Sequence, residues 1–255
     1  MTAIIERGAA TSPIEPVEPP ASTSAPSPRR PRKPGFFATS TGQKAVMAVT
    51  GAILVTFLIA HMAGNLKAFA GAESFNGYAL WLREVGYPLL PKRGLLTLAE
   101  IGLVVAIALH IWSAVALYRR AAAARPVRYA ARRRSQAGGY VVHIMRWGGL
   151  TIALFVVYHL LDLTFGVVNP AGGAATPYAR MIEGFAPGRW YVTLFYVVAV
   201  VMVGLHLRHG LWSAFQTLGL ARWRPQLKLS ATLLSVALVL GFLCVPFAIM
   251  IGAVQ

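Results

Sequence analysis

Long apolar segments dominate the pattern of this chain. Five of them, near residues 44–66, 95–118, 141–167, 189–216 and 229–253, reach or exceed the roughly 20 residues that cross about 30 Å of hydrocarbon. Between the first two, Phe75, Tyr78, Leu82 and Val85 recur at three-to-four spacing within residues 72–89. That spacing predicts a short amphipathic helix lying in the outer membrane interface, with Tyr78 and Trp81 at headgroup level. Residues 168–188, with Asn169-Pro170 and Gly172-Gly173, read as an external connection carrying a helical turn around Tyr178–Ile182. The fold class expected is therefore an all-α membrane protein of five transmembrane helices plus one interfacial helix. Its anchor covers residues 36–255.

Residues 1–35 differ in kind. They hold eight of the sixteen prolines and little that could bury a core, so they read as a disordered Pro/Ser-rich tail. No apolar h-region with a small-residue cleavage site marks them as a signal peptide.

Of the 255 residues, 56% are hydrophobic, and the formal net charge is +16. Such a charge fits nucleic acid in a soluble protein, but its distribution here argues for a membrane. Arg119, Arg120, Arg125, Arg128, Arg132, Arg133, Arg134 and Arg146 crowd one connection, and Arg222, Arg224 and Lys228 another. Arg29, Arg30, Arg32, Lys33 and Lys44 precede the first span. The opposite connections dilute their Lys67, Arg83, Lys92, Arg93, Arg180 and Arg189 with Glu73, Glu84 and Glu183. The positive-inside rule then puts the N-terminus in the cytoplasm and the C-terminus outside. The arginines serve topology and lipid headgroups in that reading, and an acidic soluble partner would dock on the same face. Cys244, the single cysteine, permits no disulfide and reads as a small core residue.

Four of the six histidines, His61, His110, His159 and His206, each fall inside a different apolar segment. An ionisable group at membrane depth is costly and marks a functional site. At 1.5 Å per residue, His61 and His159 lie roughly 25 and 27 Å from the cytoplasmic ends of their spans. His110 and His206, on spans running the other way, lie roughly 12 and 15 Å from the inner end. They form an outer pair and an inner pair, at levels about 10–13 Å apart. Two imidazoles facing each other suit bis-histidine ligation of haem b, and two such pairs make an electron path.

Other readings compete with this one. Zinc wants four ligands together, which separated pairs do not supply. A two-iron, two-sulfur centre on a histidine pair needs thiolates that only a partner's cysteines would complete. Proton relay would use Asp162, one turn after His159, or Glu100. Purely structural helix–helix contacts are the plainest alternative. A transporter is disfavoured because the chain lacks inverted repeats and broken midplane helices. His209 and His143 lie nearer the cytoplasmic face, where either would anchor the interface or meet a polar headgroup.

The segments around these histidines resemble a known family. His61-Met62-Ala63-Gly64-Asn65-Leu66-Lys67, followed by Phe75-Asn76-Gly77-Tyr78-Ala79 and Leu82-Arg83, resembles the first-span motif of single-subunit cytochrome b anchors of succinate dehydrogenase/fumarate reductase (respiratory complex II). His110-Ile111-Trp112-Ser113-Ala114, Met145-Arg146-Trp147-Gly148-Gly149 and Tyr158-His159-Leu160 continue the match. His206-Leu207-Arg208-His209-Gly210-Leu211-Trp212 through Gly219 closes it, so the resemblance covers about residues 37–253.

The resemblance implies a membrane subunit of a succinate:quinone oxidoreductase, with flavin chemistry on a partner. It implies flavoprotein and iron–sulfur subunits on the cytoplasmic face, and a place in the bacterial cytoplasmic membrane, within the tricarboxylic acid cycle. Menaquinone is the quinone it points to. It puts proximal haem ligands on His110 and His206, and distal ligands on His61 and His159. Haem b is the cofactor expected, one or two copies, with a non-haem iron centre using partner cysteines as the alternative. The Pro-rich basic tail departs from the family, and no acidic residue clearly matches the distal one that some members use. Quinone carbonyls need hydrogen-bond donors as charge develops. The candidates are Arg208, His209, Ser213, His143, Arg146, Trp147 and Lys44, with Glu100, Lys67 or Asp162 framing a distal alternative. The anchor of another quinone-linked dehydrogenase, such as a hydrogenase or formate dehydrogenase, would also use paired histidines. A homo-oligomer of the complex stays open.

Overall fold

The computed structural model describes residues 35–124, 144–217, 219 and 224–255. All but the last residue of the tail expected over 1–35 lies outside that set. So do His143, Arg125, Arg128, Arg132, Arg133, Arg134 and Arg222, and the first residues of the expected third span.

The described residues are helical, with no strand among them. Helix α1 spans Ser40–Asn65 and starts where the Thr39 hydroxyl accepts the Gly42 N–H at 3.0 Å. A 3₁₀ turn, Leu66–Ala70, leads to Gly71 at φ 85°, a left-handed geometry that glycine adopts without strain. Helix α2, Gly71–Glu84, follows. Its Phe75, Tyr78 and Leu82 are half-buried, while Leu80 and Trp81 on the other side are exposed.

Helix α3 is Gly94–Ala123. The third long helix has α4, Gly149–His159, at its centre, with π-helical turns Ile144–Gly148 and Leu160–Thr164 at either end. Helix α5, Pro177–Gly184, begins with Pro177 at its first turn and with the Thr176 hydroxyl accepting the Ala179 N–H. It is two turns long where the sequence led us to expect one. Helices α6, Trp190–Thr217, and α7, Arg224–Met250, complete the chain. Among the described residues, five helical segments are long and apolar enough to cross a membrane: Ser40–Glu84, Gly94–Ala123, Ile144–Thr164, Pro187–Thr217 and Pro225–Met250. That is the character of a multi-pass membrane protein.

Packing is uneven. Helices α1 and α3 run against each other, as do α6 and α7, and α1 also touches both α6 and α7. Helix α4 packs on α6, and α2 on α5. The best-buried apolar cluster lies at the α5 end, where Tyr178, Met181, Phe185, Val192, Tyr196, Val245 and Ile249 meet. Elsewhere large apolar side chains face outward, Leu98, Val104, Leu154 and Leu240 among them. Such a surface is stable against lipid and not against water.

Small residues let the helices approach. A Cβ on Gly204 of α6 would run into the Val239 side chain of α7. With no hydrophobic force between helices in lipid, close packing of this kind holds them together. We expect Gly204→Leu to cost at least about 1–3 kcal/mol by overpacking, seen as a lower unfolding temperature in detergent. Gly102→Leu, where nothing stands within 4 Å of the added Cβ, is the control and should leave stability unchanged.

Candidate functional site

The four histidines meet in two pairs. The rings of His61 on α1 and His159 at the end of α4 have centroids 5.8 Å apart and planes at 86°. Those of His110 on α3 and His206 on α6 lie 6.3 Å apart at 59°. These are the pairings that span direction and depth led us to expect. Their separation along α1 is of the expected order. Gly51, whose Cβ position lies 3.4 Å from the His110 ring, precedes His61 by ten residues on α1, or about 15 Å of helix. The 10–13 Å expectation measured depth from assumed span ends. Helix α1 starts at Ser40 and α3 runs to Ala123, shifts that add about 6 and 8 Å to the two depths and nearly cancel in their difference.

Neither α1 with α4 nor α3 with α6 is among the closely packed helix pairs of the described residues. Each histidine pair therefore joins helices that pack more closely on other neighbours. Rings surround the His61–His159 pair: Phe57 stacks on His61 at 5.2 Å, Phe242 lies 5.8 Å from it, and Phe155 lies 5.7 Å from His159. Glycines flank the second pair, Gly51 beside His110 and Gly149 beside His206.

Hydroxyl groups hold two of the rings. Thr50 Oγ1 lies 3.2 Å from His110 Nδ1, and Tyr196 Oη lies 3.4 Å from His159 Nδ1. Among the described residues Nδ1 of His206 is buried without a partner, a rare condition for a ring nitrogen.

A polar hub stands behind His159. Asp162, fully buried, sits in the π-helical turn Leu160–Thr164. Its Oδ1 accepts from Asn169 Nδ2 at 3.2 Å and from Arg189 at 3.4 Å, and its Oδ2 accepts from Tyr196 at 3.4 Å. Arg189 also donates to the Tyr158 hydroxyl and the Gly184 carbonyl. Arg180 donates to the carbonyls of Leu163, Gly173 and Ala175 and ties the 168–176 loop down. Such π turns recur at functional sites. The sequence marked Asp162. It did not mark Tyr196, Asn169 or Arg189 as its company, nor Thr50 as that of His110, although a polar residue inside an apolar span was signal enough for Thr50 and Tyr196.

The other sequence candidates take separate partners. Arg208 donates to Thr232 at 3.0 Å, and the Arg146 guanidinium lies over the Tyr118 ring at 4.3 Å. Lys44, Ser213 and Trp147 are exposed, and His209 is half-buried. Glu100 pairs with Arg93 at 3.0 Å near the surface, and Lys67 lies over Tyr78. Cys244 donates to the Gly241 carbonyl and packs against the apolar cluster, as a core residue does.

The donor set fits an axially ligated group. Two metal–imidazole bonds of about 2 Å plus the ring radii place imidazole centroids roughly 6–6.5 Å apart, close to both pairs. Among the described residues no three or more His, Cys, Asp or Glu side chains converge. A haem would need only two protein ligands at each level, since the porphyrin would supply the rest. Comparison with protein-family models, curated proteins and solved structures finds no match for this chain.

Proposed function

We propose that this chain is the five-span membrane anchor of a succinate dehydrogenase or fumarate reductase complex. It conducts electrons between an iron–sulfur partner and membrane quinone through two haem b groups. The observation that carries this reading is the pair geometry: two histidine pairs, each joining helices that are not among the closely packed pairs of the described residues. The family resemblance supplies the partner and the substrate.

His61 and His159 would hold one haem, and His110 and His206 the other. Each haem, when bound, supplies a one-electron couple. The protein's own part is to exclude water and fix the ligands. Phe57, Phe155 and Phe242 keep the first level apolar, and Gly51 and Gly149 leave room beside the rings at the second. In this proposal the N-terminus is cytoplasmic, the His61–His159 pair lies toward the outside, and α2 lies in the outer interface. The membrane is the bacterial cytoplasmic membrane. Flavoprotein and iron–sulfur subunits dock on the inner face, whose basic residues include Arg119, Arg120 and Arg146. Menaquinone would bind near the His110–His206 level, among Arg208, His209, Ser213, Arg146, Trp147 and Lys44, with His143 adjoining in sequence.

Affinity purification of the tagged full chain from its native membrane tests the assignment. Co-purification of a flavin-containing and an iron–sulfur subunit, with succinate-dependent quinone reduction, is the expected result. A chain that purifies with neither subunit contradicts it.

A further inference from the structure

We infer that the hydroxyls of Thr50 and Tyr196 lock one histidine of each pair, His110 and His159, with the proton on Nδ1, leaving Nε2 as the ligating nitrogen. The use of Nε2 as a ligand rests on the haem reading above. The lock itself follows from which groups can only accept a hydrogen bond.

Thr50 Oγ1 lies 2.7 Å from the Val46 carbonyl and 3.2 Å from that of Met47. A carbonyl cannot donate, so the single hydroxyl hydrogen of Thr50 points back along its own helix. The 3.2 Å contact to His110 is then an Nδ1–H donating to a threonine oxygen. Thr50 is buried, so no water competes for that contact.

Tyr196 repeats the logic with a different acceptor. Its hydroxyl is 3.4 Å from Asp162 Oδ2, while Oδ1 of that carboxylate is held by Arg189 and Asn169. The carboxylate accepts only, so the tyrosine hydrogen goes to Asp162. The tyrosine oxygen then takes the His159 Nδ1–H at 3.4 Å. Unconstrained neutral histidine favours the proton on Nε2, the nitrogen a haem ligand must leave free. Two unrelated acceptors, a helical carbonyl and a buried carboxylate, thus impose the less favoured tautomer on one ring of each pair. Groups behind a metal ligand commonly fix its tautomer and ring direction in this way. Thr50 and Tyr196 are accordingly positioning residues.

The test uses the full chain, ¹⁵N-labelled at histidine, in lipid bilayers without haem, and then the purified haem-loaded complex. Thr50→Val and Tyr196→Phe keep shape and remove one hydroxyl each. In the unloaded chain, NMR should find Nδ1–H tautomers at His110 and His159. Thr50→Val should release only the first, and Tyr196→Phe only the second. In the loaded complex each variant should move the electron paramagnetic resonance signal and midpoint potential of its own level alone. Haem affinity at that level should fall about 10-fold or more. Nε2–H at either histidine of the wild-type chain overturns the lock, as do variants that leave tautomers and both potentials unchanged. A chain that shows both Nδ1–H tautomers but binds no haem keeps the lock and overturns the haem reading, so the two failures are distinct.

Discussion

Replacing His110 or His206 with alanine is expected to remove one of two haem signals and to lower quinone reduction by more than about 100-fold. Changes to the groups behind a metal ligand already cost about 10–100-fold in affinity or activity, and loss of the ligand itself costs more. The pair geometry makes the effect level-specific. The two rings lie 6.3 Å apart on α3 and α6, and the other pair is about 15 Å away along the helices. His61→Ala and His159→Ala should therefore remove the other signal and leave the first in place. Loss of both signals from any single change would mean that the two levels do not bind independently. Unchanged quinone reduction in the His110→Ala and His206→Ala proteins would refute their role in electron transfer.

The second large effect concerns stability. Arg189→Ala leaves the fully buried Asp162 carboxylate without its cation, and Asn169 and Tyr196 alone face it. Removing one partner of a buried pair costs about 3–5 kcal/mol, because the remaining charge stays desolvated. Arg189 keeps 14% of its side-chain surface exposed, which favours the lower end of that range. The double change Asp162→Leu with Arg189→Met should recover much of the loss, since apolar replacement of a buried pair is often neutral or better. Thermal unfolding of the purified chain in detergent measures both. A single variant as stable as the parent would show that Asp162 is not held in this way. A double variant no better than the single would show that the rest of the hub matters more than the charge.

Much of the histidine constellation was legible in the sequence, for a physical reason. An imidazole inside an apolar run stands out, and the alternating direction of successive spans converts position into depth. That brought His61 with His159 and His110 with His206 before any coordinates. The distance of each histidine from its helix end was less legible, because the span ends themselves had to be assumed. Ser40 and Ala123, not Lys44 and Tyr118, are those ends in α1 and α3.

The groups behind the histidines were harder still. Thr50 meets His110 sixty residues away, and Tyr196 meets His159 across two helices. Which face of a helix touches which neighbour follows from packing, and apolar periodicity is weak when lipid surrounds the bundle. The π-helical turn that carries Asp162 has no sequence signature either, although Asp162 itself was visible as a carboxylate in an apolar span. Helix α5 was partly visible, because Thr176-Pro177 is a strong start signal and Gly184 lies just where it stops.

The central claim is that each histidine pair holds a haem. Redox titration of the purified complex, followed by its reduced-minus-oxidised spectrum with pyridine haemochrome and iron analysis, tests it most directly. The account predicts two haem b per anchor with separate midpoint potentials, the first lost in His61→Ala and the second in His206→Ala. A complex that contains the chain and its partner subunits but shows no haem b, or a haem that survives all four histidine changes, would contradict it.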